Sequence, residues 1–328
     1  MEPDSRQTIG TLQAGRAIAA FVVLLHHIGP WAYRYDHSLP GLGIWERGYL
    51  GVDFFFVLSG FIIYHSTVEK KRSLRDFATA RLRRVVVPYL PIGLLAAVLY
   101  TTLPGFPYET TDWSWLTSLT LLPLTPGPAL SVAWTLQHEM LFYFVFCILY
   151  FSGLLWVGLP IWLFAIIVGP SGNVPLASIN IEFVMGVYAA ALFRRGLSHW
   201  LLLPAAAALL LLWLLLGGPE QQRLIVGLAC AFTTLQFALL EQRGAIRAPA
   251  WLVFMGAASY SLYLTHELVL PVATRLSAHA WPIVFATDLI ACLAAGVGYY
   301  WFFERPLLKV LTAKRPAAHR IIDIGVSK

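Results

Sequence analysis

The chain has 328 residues, of which 58% are hydrophobic and 12% charged, with a mean hydropathy of +0.69. Soluble domains carry about 25% charged residues, so the composition excludes a soluble globular protein and points to a polytopic membrane protein of the all-α class. The formal net charge of +6 is no nucleic-acid signature, since its meaning lies in where the charges fall, and three singly scattered cysteines (Cys147, Cys230, Cys292) supply neither a disulfide framework nor a metal-ligand spacing.

Ten apolar segments have spanning character: about 12–31, 50–66, 85–103, 133–151, 154–169, 176–193, 200–217, 223–240, 251–270 and 283–303. The first follows a polar start and lacks a small-residue cleavage site, so it is expected to be a span rather than a cleaved signal. The connection 67–84 carries seven Lys/Arg: Lys70, Lys71, Arg72, Arg75, Arg81, Arg83 and Arg84. With that connection placed in the cytoplasm, alternation puts 18 of the 23 Lys/Arg inside and 4 outside (Arg34, Arg47, Arg223, Arg275), with Arg16 inside the first segment. The positive-inside rule then makes both termini cytoplasmic. The outer loop 104–132, rich in Pro and aromatics, is expected to lie at the interface or dip back into the membrane. Residues 1–308 are expected to form one integral-membrane domain and 309–328 a basic cytoplasmic tail. No internal repeat is visible.

Within the first segment, LQAGRAIAAFVVLLHH, Arg16 and His27 are eleven residues apart. On a helix that is about three turns, so both side chains project from one face, roughly 16 Å apart along the axis. One interpretation has each snorkelling to its own interface; the other has both facing a protein interior, where intramembrane ionisable groups are functional candidates. The topology brings His27, Asp53, Glu139, Glu182, His266 and Asp288 to one depth in the outer third, which suggests a buried polar cluster opening outward. Arg16, Arg81, Arg83 and Arg84 gather at the cytoplasmic side. They serve either as topology signals facing anionic lipid or as a seat for a polyphosphate, which Arg binds bidentately.

Six stretches carry a family resemblance: LQAGRAIAAFVVLLHH, GVDFFFVLSGFIIY, RLRRVVVPYL, SVAWTLQHEMLFYFVF, IEFVMGVYAA and SYSLYLTHELV, in that order over 12–270. Together they resemble the integral-membrane acyltransferase family 3, specifically its exopolysaccharide-production branch. The resemblance implies a bacterial inner-membrane, multi-pass O-acyltransferase. It would move an acyl group, usually acetyl, from cytoplasmic acyl-CoA to a hydroxyl of an envelope polysaccharide sugar or its lipid-linked precursor. No permanent cofactor or metal is implied, and polysaccharide-synthesis machinery is an expected partner. The family's key residues fall on His27, Arg16, Glu139 and His266. Gly15 stands where Leu is usual, His138 precedes Glu139 where Tyr is common, and the spacing of RLRRVVVP differs slightly from the usual pattern.

On that resemblance His27 is the expected general base, its reference pKa of about 6.5 lying near working pH. Glu139 or Asp53 would orient its other ring nitrogen, and His266 would position the acceptor or polarise the carbonyl. Arg16, Arg81 and Arg84 would hold the CoA phosphates, with a covalent acyl-His27 intermediate as the variant route. Other chemistries lack their residues: Phe142 occupies the second His position of HExxH, and Ser59 lies in VLSGF rather than GxSxG. The competing class is a proton-coupled transporter or flippase of sugars or lipid-linked intermediates. A third is a scaffold subunit of a polysaccharide synthase.

Overall fold

The computed structural model describes residues 9–103, 112–169, 173–197, 199–216, 222–277 and 280–313. Most of the expected basic tail, and residues 104–111 of the outer loop, lie outside the described residues. In chain order the α-helices are α1 (Gly10–Tyr35), α2 (Leu42–Glu46), α3 (Leu50–Glu69), α4 (Leu74–Thr102), α5 (Trp115–Thr120), α6 (Trp134–Phe151), α7 (Leu155–Val168), α8 (Asn180–Arg194), α9 (Leu202–Leu216), α10 (Gln222–Gln242), α11 (Ala250–Ser277), α12 (Trp281–Tyr299) and α13 (Arg305–Ala313). A π-helical turn, Tyr300–Glu304, joins the last two. No strand occurs among the described residues.

Each of the ten apolar segments is helical. Among the described residues six stretches are long and apolar enough to cross a membrane: Gly10–Arg34, Gly43–Glu69, Leu74–Thr102, Ser131–Phe151, Arg223–Gln242 and Trp281–Leu311. Helices α7 and α9 are apolar but shorter, at 14 and 15 residues.

The basic connection is much shorter than expected. Helix α3 continues to Glu69 and α4 starts at Leu74, where the Ser73 hydroxyl caps it by accepting from the Asp76 amide at 3.2 Å. Arg, Ala and Leu are strong helix formers, so the stretch is helical although its charge hides it from a hydropathy criterion. Arg81 and Arg84 consequently lie one turn apart on one helix face.

Glycines set the helix spacings. A Cβ on Gly60 would meet the Phe183 carbonyl oxygen at 2.1 Å, and one on Gly186 would meet that of Val57 at 2.1 Å, so α3 and α8 pack backbone to backbone. A Cβ on Gly256 would meet the Gln13 carbonyl oxygen at 2.0 Å, which fixes α11 against α1. Such contacts cannot be relieved by turning a side chain. Gly60→Ala is therefore expected to destabilise the protein by about 1–3 kcal/mol, the usual cost of overpacking. Thermal unfolding in detergent checks this, and an unshifted melting temperature would show that the two helices can separate at no cost.

The described part of the connection between α4 and α6 turns in among the helices. Leu121, Ala129, Leu130, Val132 and Ala133 are buried among the helices. The amides of Ser131 and Val132 each donate to the Glu267 carboxylate of α11 at 2.9 Å. The start of α6, where unpaired N–H groups would be costly away from water, is thereby satisfied within the protein.

Candidate functional site

A cavity of about 330 Å³ lies between α1, α3, α4, α6 and α11, within the range usual for ligand pockets. Its depth follows from the helix pairing. Along α1 and α3, Gly48 faces Val22 and His26, Gly51 faces Ala19 and Val23, and Gly15 faces Phe54 and Leu58, so the helices are antiparallel. Ser59 therefore sits toward the Arg16 end. Its hydroxyl donates to Glu139 at 2.9 Å, and the Tyr143 hydroxyl donates to the same carboxylate oxygen. Glu139 is thus not in the outer layer with His27, as span counting suggests, but near the level of Arg16. The reason is the inward-turning loop, whose residues Leu130, Val132 and Ala133 are buried just before α6.

Four arginines (Arg16, Arg72, Arg81 and Arg84) and one carboxylate, Glu139, line the cavity. That excess of positive charge favours an anionic over a cationic occupant. The Arg81 Nη2 donates to Ser66 Oγ at 2.8 Å, and its guanidinium lies over the Phe77 and Tyr143 rings. The Nε atoms of Arg16 and Arg81 are buried without a hydrogen-bond partner. Unsatisfied buried N–H groups are rare in native proteins, and here they sit on cavity-lining cations whose fork matches phosphate oxygens. Arg84 pairs with Glu304 and lies over the Tyr260 ring.

At the other end the lining reaches Phe55, Thr135 and Tyr263. The Tyr263 hydroxyl bonds to Thr135 Oγ1 and to the Val132 carbonyl, both at 2.8 Å. The His266 ring lies beyond it, with centroids 5.7 Å apart, and His266 in turn meets His27 at 4.8 Å in an edge-to-face pair. His27 Nδ1 lies 2.9 Å from the Val23 carbonyl oxygen, and His266 Nδ1 lies 3.3 Å from that of Leu262. A carbonyl only accepts, so each neutral ring carries its proton on Nδ1 and presents a bare Nε2 lone pair. The His266 Nε2 is buried and unpartnered. Two facing imidazoles that can only accept are arranged to receive a donor such as a hydroxyl.

The six groups expected at one depth separate into distinct sets. His27 and His266 form one, and Glu139 with Ser59, Tyr143 and the arginine-lined cavity forms another. Asp53 belongs to a third: Arg223 Nη1 is 3.0 Å from Asp53 and 3.8 Å from the fully buried Glu182. Asp288 accepts from Thr274 Oγ1 at 2.8 Å. Among the described residues a backbone carbonyl, that of Val23, and not a carboxylate orients His27. His138, which precedes Glu139, is engaged at Nδ1 by Asn180 Oδ1 at 3.0 Å. Sequence reasoning missed Ser59, Tyr143, Tyr263, Glu267 and Glu304. Of these only Tyr143, one helical turn after Glu139, had a spacing signal.

Residues 9–302 match the family described as an acyltransferase domain. The exopolysaccharide production protein ExoZ of Rhizobium meliloti (strain 1021) is 32% identical over 300 residues, which covers 83% of this chain and 93% of that protein. The acyltransferase MdmB of Streptomyces mycarofaciens is 25% identical, covering 92% of each chain. The peptidoglycan O-acetyltransferase OatA of Listeria monocytogenes is 27% identical over 50% of this chain and 28% of its own length. No solved structure matches. Helices, cavity and kinship agree, and the chain belongs to the acyltransferase-domain family, in its exopolysaccharide-production branch, as an enzyme that transfers acyl groups other than aminoacyl groups.

Proposed function

We infer that the protein is an inner-membrane O-acyltransferase that takes an acetyl group from cytoplasmic acetyl-CoA. The acceptor is a sugar hydroxyl of an exopolysaccharide or of its lipid-linked precursor. The ten apolar segments cross the membrane and both termini are cytoplasmic, a reading that the Lys/Arg distribution supports. The observation that carries the reading is the arginine-lined cavity ending beside two histidines with bare Nε2 atoms. The phosphates of CoA bind to Arg16, Arg81 and Arg84, and the thin pantetheine arm runs along the cavity toward Tyr263. The acceptor approaches His27 from the outer side. His27 Nε2 takes the hydroxyl proton as the oxygen attacks the thioester carbonyl, the carbon–sulfur bond breaks, and CoA leaves as the thiol once protonated. His266, whose Nε2 can only accept, positions the acceptor through one of its O–H groups. Glu139, hydrogen-bonded and close to the arginines, balances the buried Arg16 charge. Asp53 acts at a distance, by fixing α3 to α10 through Arg223.

The test is label transfer from [acetyl-¹⁴C]acetyl-CoA to lipid-linked oligosaccharide by the purified protein in nanodiscs. Acceptor-dependent labelling and stoichiometric release of CoA are expected. Transport of the oligosaccharide in liposomes without any acyl-CoA, and no labelling, would establish the transporter instead.

A further inference from the structure

The inner end of the cavity holds a residue that a simple anion site does not need. Glu304 is completely buried, its Oε1 accepts from Arg84 Nη1, and its Oε2 accepts from Ser261 Oγ. A carboxylate there costs desolvation and subtracts positive charge from a site meant for phosphates. Its use must therefore be geometric.

The backbone supports that conclusion. Glu304 closes the π-helical turn Tyr300–Glu304, a rare distortion that often marks functional sites. The extra residue re-registers the helix, so Glu304 points inward while Trp301 and Phe302 stay exposed. Arg84 is a third exposed and lines the cavity. A guanidinium has five donors in one rigid plane. With Nη1 bound to Glu304 and the ion near the Tyr260 ring, that plane is fixed and the remaining donors are available on the cavity side. Without Glu304, Arg84 would be repelled by Arg16, Arg72 and Arg81 and would lose its orientation.

We propose that Glu304 is a positioning residue for the donor: it holds Arg84 so that its free N–H groups meet the phosphates of the incoming acyl-CoA. The inference rests on the donor assignment made above. Its test compares acetyl-CoA with acetyl-pantetheine, which carries the same thioester and no phosphate, on the full-length protein in nanodiscs.

Wild type is expected to bind acetyl-CoA at least tenfold more tightly than acetyl-pantetheine. Glu304→Gln is expected to weaken acetyl-CoA about tenfold, the scale of one charge-assisted hydrogen bond, and to leave acetyl-pantetheine unchanged, the shift falling on KM rather than kcat. In an Arg84→Ala background Glu304→Gln should add nothing. Ser261→Ala should shift acetyl-CoA in the same direction by about threefold, and it decides the matter if Glu304→Gln does not fold. Equal weakening of both donors, or an undiminished Glu304→Gln effect without Arg84, overturns the proposal while the donor assignment stands. A wild type that does not distinguish the two donors overturns the donor assignment and this proposal with it.

Discussion

His27→Ala is expected to lower turnover by about 10²–10⁴-fold, the usual contribution of a general base, with little change in the KM for acetyl-CoA. The direction follows from the ring's surroundings. Its Nδ1 is committed to the Val23 carbonyl, so Nε2 is the nitrogen with a lone pair to offer. The arginines proposed to bind the donor lie about three helical turns away, so donor affinity and proton transfer separate onto different residues. His266→Ala should cost less, because the part of this buried ring is to hold rather than to remove a proton. Since the rings meet at 4.8 Å, their effects should not add: the double variant is expected to be little worse than His27→Ala alone, as for residues that act as a unit. Initial rates under saturating donor and acceptor, on protein that elutes as a folded monodisperse species, make the measurement. A His27→Ala enzyme within threefold of wild type would remove His27 from the chemistry.

The helices were legible because ten apolar segments leave little choice in a lipid solvent. A shared depth for His27 and His266 was legible too, because span counting runs their two helices in the same direction. What misled was treating each span as starting at the surface. Helix α6 starts inside the protein, where Glu267 caps the amides of Ser131 and Val132. That contact joins residues more than 130 positions apart, which no local pattern reveals. Glu139 dropped to the arginine level for the same reason. Asp53 looked like a partner for His27 because both were assigned to the outer third. Its actual partner, Arg223, is 170 residues away and had been counted only as an outer-side charge. Glu304 was hidden differently: a π-helical turn alters which face a residue presents, and the sequence YWFFE carries no mark of it.

Arg16→Ala tests the other half of the mechanism, and two losses should be separable. Arg16 lines the cavity with its Nε buried and unpartnered, and Glu139, Glu304 and Arg84 all act on its charge. Removing the guanidinium takes away a charge-assisted donor to phosphate, worth about 1.5–3 kcal/mol, so the donor Kd should rise about 10–150-fold. It also leaves the part-buried Glu139 with less compensation, which lowers thermal stability as uncompensated buried charge does. The double variant Arg16→Ala/Glu139→Gln removes the second problem and not the first, since the Gln carbonyl can still accept from Ser59 and Tyr143. It should recover the melting temperature while binding acetyl-CoA as weakly as Arg16→Ala. Raising salt should weaken donor binding less in both variants than in wild type, because one cation has left the site. If the double variant regains wild-type affinity for acetyl-CoA, Arg16 serves only as the counter-ion of Glu139, and the phosphates must be held by the α4 arginines alone.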